Sequence, residues 1–118
     1  MPKVLVIDDD VDILDMVKTV LASYDMKVDC ANEGSKLWAM VAKHEPDVIL
    51  MDIYLGDSDG RELCQHLKRS DKFSHIPVIL YSAGNISPHS INESLADDFI
   101  VKPFDIGVLA GKINAMVA

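Results

Sequence analysis

Four short apolar runs punctuate the chain: Val4 to Ile7, Val48 to Met51, Val78 to Leu80 and Phe99 to Val101. Each has the length of a strand, and they are rich in β-branched or aromatic residues, as strands buried on both faces are. Between them the period changes. Ile13, Val17, Val20 and Leu21 share one helical face, as do Leu37 with Val41, Leu63 with Leu67, and Leu109 with Ile113 and Val117. A weaker run, Lys27 to Cys30, alternates charged and apolar residues, which suits an edge strand with one face partly wet. Strands alternating with helices predict an α/β fold: a five-stranded parallel sheet with helices on both faces, because right-handed crossovers deposit a helix between successive strands.

Helix starts are signalled by Asp10, by Asn32 to Ser35, by Asp59 and by Asp105, whose side chains can cap free backbone N–H groups. The least helical stretch runs from Gly84 to Asp97, where Gly, Ser, Asn and Pro88 crowd together and only Ile91 and Leu95 suggest a buried face. A fourth helix that is short or mobile is expected there. Gly107 and Gly111 each cost the last helix about 1 kcal/mol relative to alanine, to be offset by packing of Leu109 and Ile113.

At 118 residues, the pattern fills the chain as one domain, residues 1–118, with no internal repeat, no linker and no output domain expected. No apolar run is long enough to span a membrane, and the start is too short for a secretory signal, so a cytoplasmic location without membrane attachment is expected. Cys30 and Cys64 are too few for a disulfide framework, and the four histidines show no metal-ligand spacing. A net charge of −8, with basic residues scattered, argues against direct nucleic-acid binding.

The candidate chemistry lies where the strands end. In an open parallel sheet, functional residues gather beyond the carboxyl ends of the strands. Asp8, Asp9 and Asp10 follow the first run, Asp52 the third, Ser82 the fourth, and Lys102 with Pro103 the fifth. Singly, each has an ordinary reading: the aspartates as helix caps, Asp52 as an Asx-turn, Ser82 as a turn residue, Lys102 as a solvated charge. Together, Asp8, Asp9, Asp52 and Lys102 leave two unbalanced negative charges, which calls for a divalent cation. Hard carboxylate oxygens favour Mg2+ over zinc. Such a pocket suits phosphoryl transfer, with Asp52 as nucleophile, Lys102 pairing with a phosphoryl oxygen and the Ser82 hydroxyl donating to another.

Val-Ile-Asp8-Asp9-Asp10, Met51-Asp52-Ile53-Tyr54-Leu55 with Asp59-Gly60, Tyr81-Ser82-Ala83, and Asp98-Phe99-Ile100-Val101-Lys102-Pro103-Phe104 together resemble the receiver domain of two-component response regulators, over essentially the whole length. The resemblance implies the flavodoxin-like strand order 2-1-3-4-5. It makes Asp52 the phosphoacceptor and assigns Mg2+, or Mn2+ in its place, to Asp8, Asp9, Asp52 and the carbonyl of Tyr54. It makes Ser82 and Phe99 a switch pair, and implies a cis Lys102–Pro103 peptide. It assigns Tyr54 and Gly84 the modulation of phosphoaspartate hydrolysis. The implied partners are a sensor histidine kinase or a histidine phosphotransfer protein as donor, an unidentified downstream protein as target, and a second copy on phosphorylation. On this reading the chain is not an enzyme beyond its own phosphorylation and dephosphorylation.

Departures from the family pattern stand at Gly56, where proline is common, and at Leu95, where glycine is usual. Gly56 predicts a more pliable loop, and Leu95 with Pro88 puts the usual fourth helix in doubt. Three alternatives differ in what they require. An aspartyl phosphatase would carry a second acid where Tyr54 stands. A flavin module would carry a phosphate-binding loop where Asp8 to Asp10 stand. A pseudo-receiver, a docking module from a hybrid histidine kinase, would dispense with the ionic groups present here.

Overall fold

The computed structural model describes residues 1–84, 86–102 and 105–117. Its strands are β1 (Lys3–Ile7), β2 (Lys27–Ala31), β3 (Val48–Asp52), β4 (Val78–Ser82) and β5 (Asp98–Val101), all parallel, in the order β2-β1-β3-β4-β5. The helices are α1 (Val11–Ala22), α2 (Leu37–His44, preceded by a 3-10 turn at Gly34–Lys36), α3 (Gly60–Arg69), α4 (Pro88–Ser94) and α5 (Ile106–Val117). The expected architecture and order are both present.

Strand alternation divides the core in two. Val4, Val6, Val48, Leu50, Ile79 and Tyr81 face α1 and α5, where they meet Leu14, Val17, Leu21, Leu109 and Ile113. Leu5, Ile7, Ile49, Met51, Val78 and Leu80 face the other way, against Leu37, Val41, Cys64 and Leu67. The buried stripe of α1 runs through Leu14, Val17 and Leu21, with Ile13 and Val20 only half-buried on its flank. β2 is the edge strand expected, with Lys27 exposed and Val28 buried.

Three of the four predicted helix starts are side-chain capped. Asp10 accepts from the N–H groups of Asp12 and Ile13, Asp59 from Arg61, and Asp105 from Gly107 and Val108. The fourth is capped from elsewhere. No side chain of Asn32 to Ser35 caps the turn before α2; Asp57, in the β3–α3 loop, accepts from both Gly34 N–H and Ser35 N–H at 3.0 Å. The loop expected to be pliable is thus tied to α2 by two charge-assisted hydrogen bonds.

Pro88 opens α4 rather than breaking it. It occupies the first turn, where its missing N–H costs nothing, and the Ser87 side chain caps the helix by accepting from Ser90 N–H. The helix is short, as expected. It ends at Leu95, whose φ of +67° is a left-handed conformation, the place where the family's glycine would sit. Leu95 does not join a buried face and is 44% exposed, whereas Ile91 packs against the core.

Candidate functional site

The register of the sheet places the chemistry before any side chain is considered. Ile7 is level with Met51, so the next residues, Asp8 and Asp52, emerge side by side; Asp52 is level with Tyr81, and Tyr81 with Ile100. Side chains alternate along a strand. Asp8, Asp52 and Tyr81 therefore leave the sheet on the α1/α5 side, and Lys102, two residues beyond Ile100, returns to that side.

The side chains meet there. Lys102 Nζ donates to Asp52 Oδ2 at 3.1 Å and to Asp8 Oδ2 at 3.3 Å. Asp8 is fully buried and Asp52 is 7% exposed. Each forms the local turn that its sequence allows: Asp8 Oδ1 accepts from Asp10 N–H at 2.9 Å, and Asp52 Oδ1 accepts from Tyr54 N–H at 3.2 Å. The Asx-turn open to Asp52 is present, and it leaves the other carboxylate oxygen to Lys102. Burial pushes the Asp52 carboxyl above its ordinary pKa; the Lys102 hydrogen bond opposes this, and the charge of Asp8 adds to it. Burial would lower the Lys102 ammonium, but the hydrogen bond to Asp52 and the charge of Asp8 outweigh it and hold the pKa above its usual value.

Asp9 completes the acidic group from the exposed side. One carboxylate oxygen from each of Asp8, Asp9 and Asp52 lies within 4.8 Å of the others, the metal-competent acidic group found among the described residues. Three hard oxygen donors against one lysine leave two negative charges, which fits a divalent cation of the magnesium class. Gly56 shapes the rim. Its φ is +80°, which proline cannot adopt, and a Cβ there would come within 3.4 Å of Asp9 Oδ2. Gly60 lets α3 begin directly against the end of β3: a Cβ at this position would lie 2.3 Å from the Asp52 carbonyl oxygen.

Residues 4–114 match the response regulator receiver domain. The chain belongs to that family. As a receiver domain of two-component signalling it is 34% identical, over 99% of its own length, to the DNA-binding dual master transcriptional regulator RpaA of Synechocystis, and it spans about half (49%) of that relative's length. Among solved structures it superposes on the receiver domain of the Francisella response regulator 1452 with a TM-score of 0.88 and 30% identity, covering 99% of this chain and 97% of that one. The signal receiver domain of a histidine kinase from Syntrophus aciditrophicus gives a TM-score of 0.88 at 28% identity, over 99% and 90% of the two chains.

The remaining predicted positions among the described residues stand at or just after the ends of β3 and β4, except Phe99, which lies within β5. Ser82 ends β4 at 1% exposure; its Oγ accepts from Gly84 N–H at 3.5 Å, and it is not part of the Asp8–Lys102–Asp52 group. Phe99, level with Leu80, packs partly buried in the α2/α3/α4 core. Tyr54 is 55% exposed, and among the described residues nothing lies within 4 Å of a Cβ built at Gly84. Pro103, and with it the expected cis peptide, lies outside the described residues.

Three residues of the site carried no assigned role in the sequence reading. Tyr81 donates its hydroxyl hydrogen to Asp8 Oδ2 at 2.5 Å, and its ring lies 4.7 Å from Lys102 Nζ. Its place opposite Asp52 was implicit in the strand spacing. Asp57 clamps the loop to α2. Arg61 grips Asp59 through Nε at 3.0 Å and Nη2 at 2.7 Å, lies 5.8 Å from the Tyr54 ring, and reaches Ser90 Oγ on α4 at 3.3 Å. No sequence signal identified these last two, because their partners belong to other elements or to a loop whose path depends on Gly56.

Proposed function

We propose that this receiver accepts a phosphoryl group from a phosphohistidine donor onto Asp52, with Mg2+ present, and relays the event by a change of conformation. The observation that carries this reading is the hydrogen-bonded group of Asp52, Lys102 and Asp8, with Asp9 close by. A carboxylate oxygen of Asp52 attacks phosphorus, the donor P–N bond breaks, and the imidazole nitrogen leaves with the bonding electron pair. Asp8, Asp9, Asp52 and the Tyr54 carbonyl would hold the ion, with Mn2+ able to replace it. Bound there, the ion supplies charge neutralisation for the phosphoryl oxygens. Lys102 passes from the acceptor carboxylate to a phosphoryl oxygen, a charge-assisted contact of the kind that dominates phosphoryl transfer.

The same reading gives the outer residues their roles. Ser82 donates its hydroxyl hydrogen to the bound phosphoryl group, and Phe99 fills the space that the serine side chain leaves. Tyr54, exposed at the rim, screens the phosphoaspartate from attacking water, while Gly84, without a side chain, adds no screen of its own. The chain then acts on no external substrate: its chemistry is confined to its own phosphorylation and hydrolysis, with a histidine kinase or phosphotransfer protein as donor and another protein as target. Incubation with Mg2+ and phosphoramidate, followed by intact mass, tests this: the parent gains one phosphoryl group and Asp52→Asn gains none. No added mass on the parent would refute it. In the phosphorylated protein, Tyr54→Ala is expected to hasten loss of the group severalfold.

A further inference from the structure

Tyr81 is a large polar side chain driven wholly into the core beneath the pocket. Its ring packs with the α1/α5 core, while its hydroxyl ends on the fully buried Asp8 and its π-face lies beneath the Lys102 ammonium. Among the described residues, Asp8 Oδ2 takes two donors, the neutral Tyr81 hydroxyl and the charged Lys102, while Oδ1 takes Asp10 N–H. Lys102 is shared between Asp8 and the acceptor Asp52.

We infer that Tyr81 is a positioning residue for phosphoryl uptake: its hydroxyl keeps Asp8 Oδ2 hydrogen-bonded so that Lys102 is free to leave Asp8 for the incoming phosphoryl group. The inference rests on the proposed acceptor role of Asp52. A buried carboxylate deprived of a donor carries a full desolvation penalty. Without the hydroxyl, Lys102 is the donor that must remain, and its release is opposed. The hydroxyl also weakens Asp8 as a ligand, because a hydrogen bond to an anionic oxygen occupies a lone pair and lowers its affinity for a proton or a cation alike.

Tyr81→Phe removes the hydroxyl and keeps the ring beneath Lys102, so the two effects are read with the packing preserved. A calorimetric Mg2+ titration, without any phosphodonor, is expected to show binding about threefold tighter in the variant, because Asp8 has lost a competing donor. The rate of phosphoryl uptake from phosphoramidate at saturating Mg2+ is expected to fall about tenfold, the loss of one hydrogen bond to a charged group. These opposite signs separate positioning from structural damage, which would weaken both. Equal or weaker Mg2+ binding, or an unchanged uptake rate, overturns the inference. If the parent itself takes up no phosphoryl group, the acceptor role falls, while the Mg2+ titration alone still decides on Tyr81: tighter binding in the variant upholds its action on Asp8, and equal or weaker binding refutes it.

Discussion

Leu95 holds a backbone conformation that a β-carbon disfavours. It terminates α4 at φ +67°, where an L-residue other than glycine pays about 1 kcal/mol or more in steric crowding. Little apolar burial compensates, since the side chain is 44% exposed. Leu95→Gly is therefore expected to stabilise the chain by about 1 kcal/mol, seen as a higher urea midpoint at an unchanged slope. An unaltered or lower midpoint would mean that the leucine side chain contributes more than its exposure suggests. Gly56 shows the complementary case, a glycine that the backbone requires at φ +80° beside Asp9.

Among the elements, α2 depends on a residue outside itself. Asp57 titrates below the usual carboxylate range because Gly34 N–H, and then Ser35 N–H, donate to its charged form. Asp59 does so because the Arg61 guanidinium donates to it. A folded-state pKa below the unfolded one means stabilisation that is complete well above about pH 4 and is lost as the pH falls through the folded value. Asp57→Asn should accordingly be less stable than the parent at neutral pH, and the gap should narrow in thermal melts as the buffer is taken below about pH 4. A gap that stays constant on acidification would show that the charge of Asp57 is irrelevant to the clamp. All four predicted helix starts were legible in the sequence, but the capping residue only where it is local: Asp10, Asp59 and Asp105. The start before α2 was marked at Asn32 to Ser35 and its cap was not, because Asp57 lies in another loop and no spacing rule connects them.

In the molecule as a whole, the sheet register decides what meets what. The strand runs, their order and the residues just beyond them were readable from periodicity, and so was the convergence of Asp8, Asp9, Asp52 and Lys102 on one edge. Which face each side chain took required the register, and that is why Tyr81 was missed while its neighbour Ser82 was noticed. Pro88 misled because a proline reads equally as a breaker and as a first-turn residue, and only the cap supplied by Ser87 decides between them. The net charge of −8, concentrated in part at this edge, makes cation binding an event for the whole fold. Mg2+ at a hundredfold excess over its Kd is expected to add about 2.7 kcal/mol to unfolding, observed as a higher melting temperature that chelation reverses. Asp9→Asn should abolish most of that shift.

The clamp between Asp57 and α2 also has a spectroscopic use. An amide proton held by a carboxylate resonates well away from its neighbours, and Gly34 and Ser35 provide two such protons on the far side of the loop that passes Asp9. Their chemical shifts form a pair of labels, already present in the unmodified chain, for following the pocket residue by residue as it is filled and emptied.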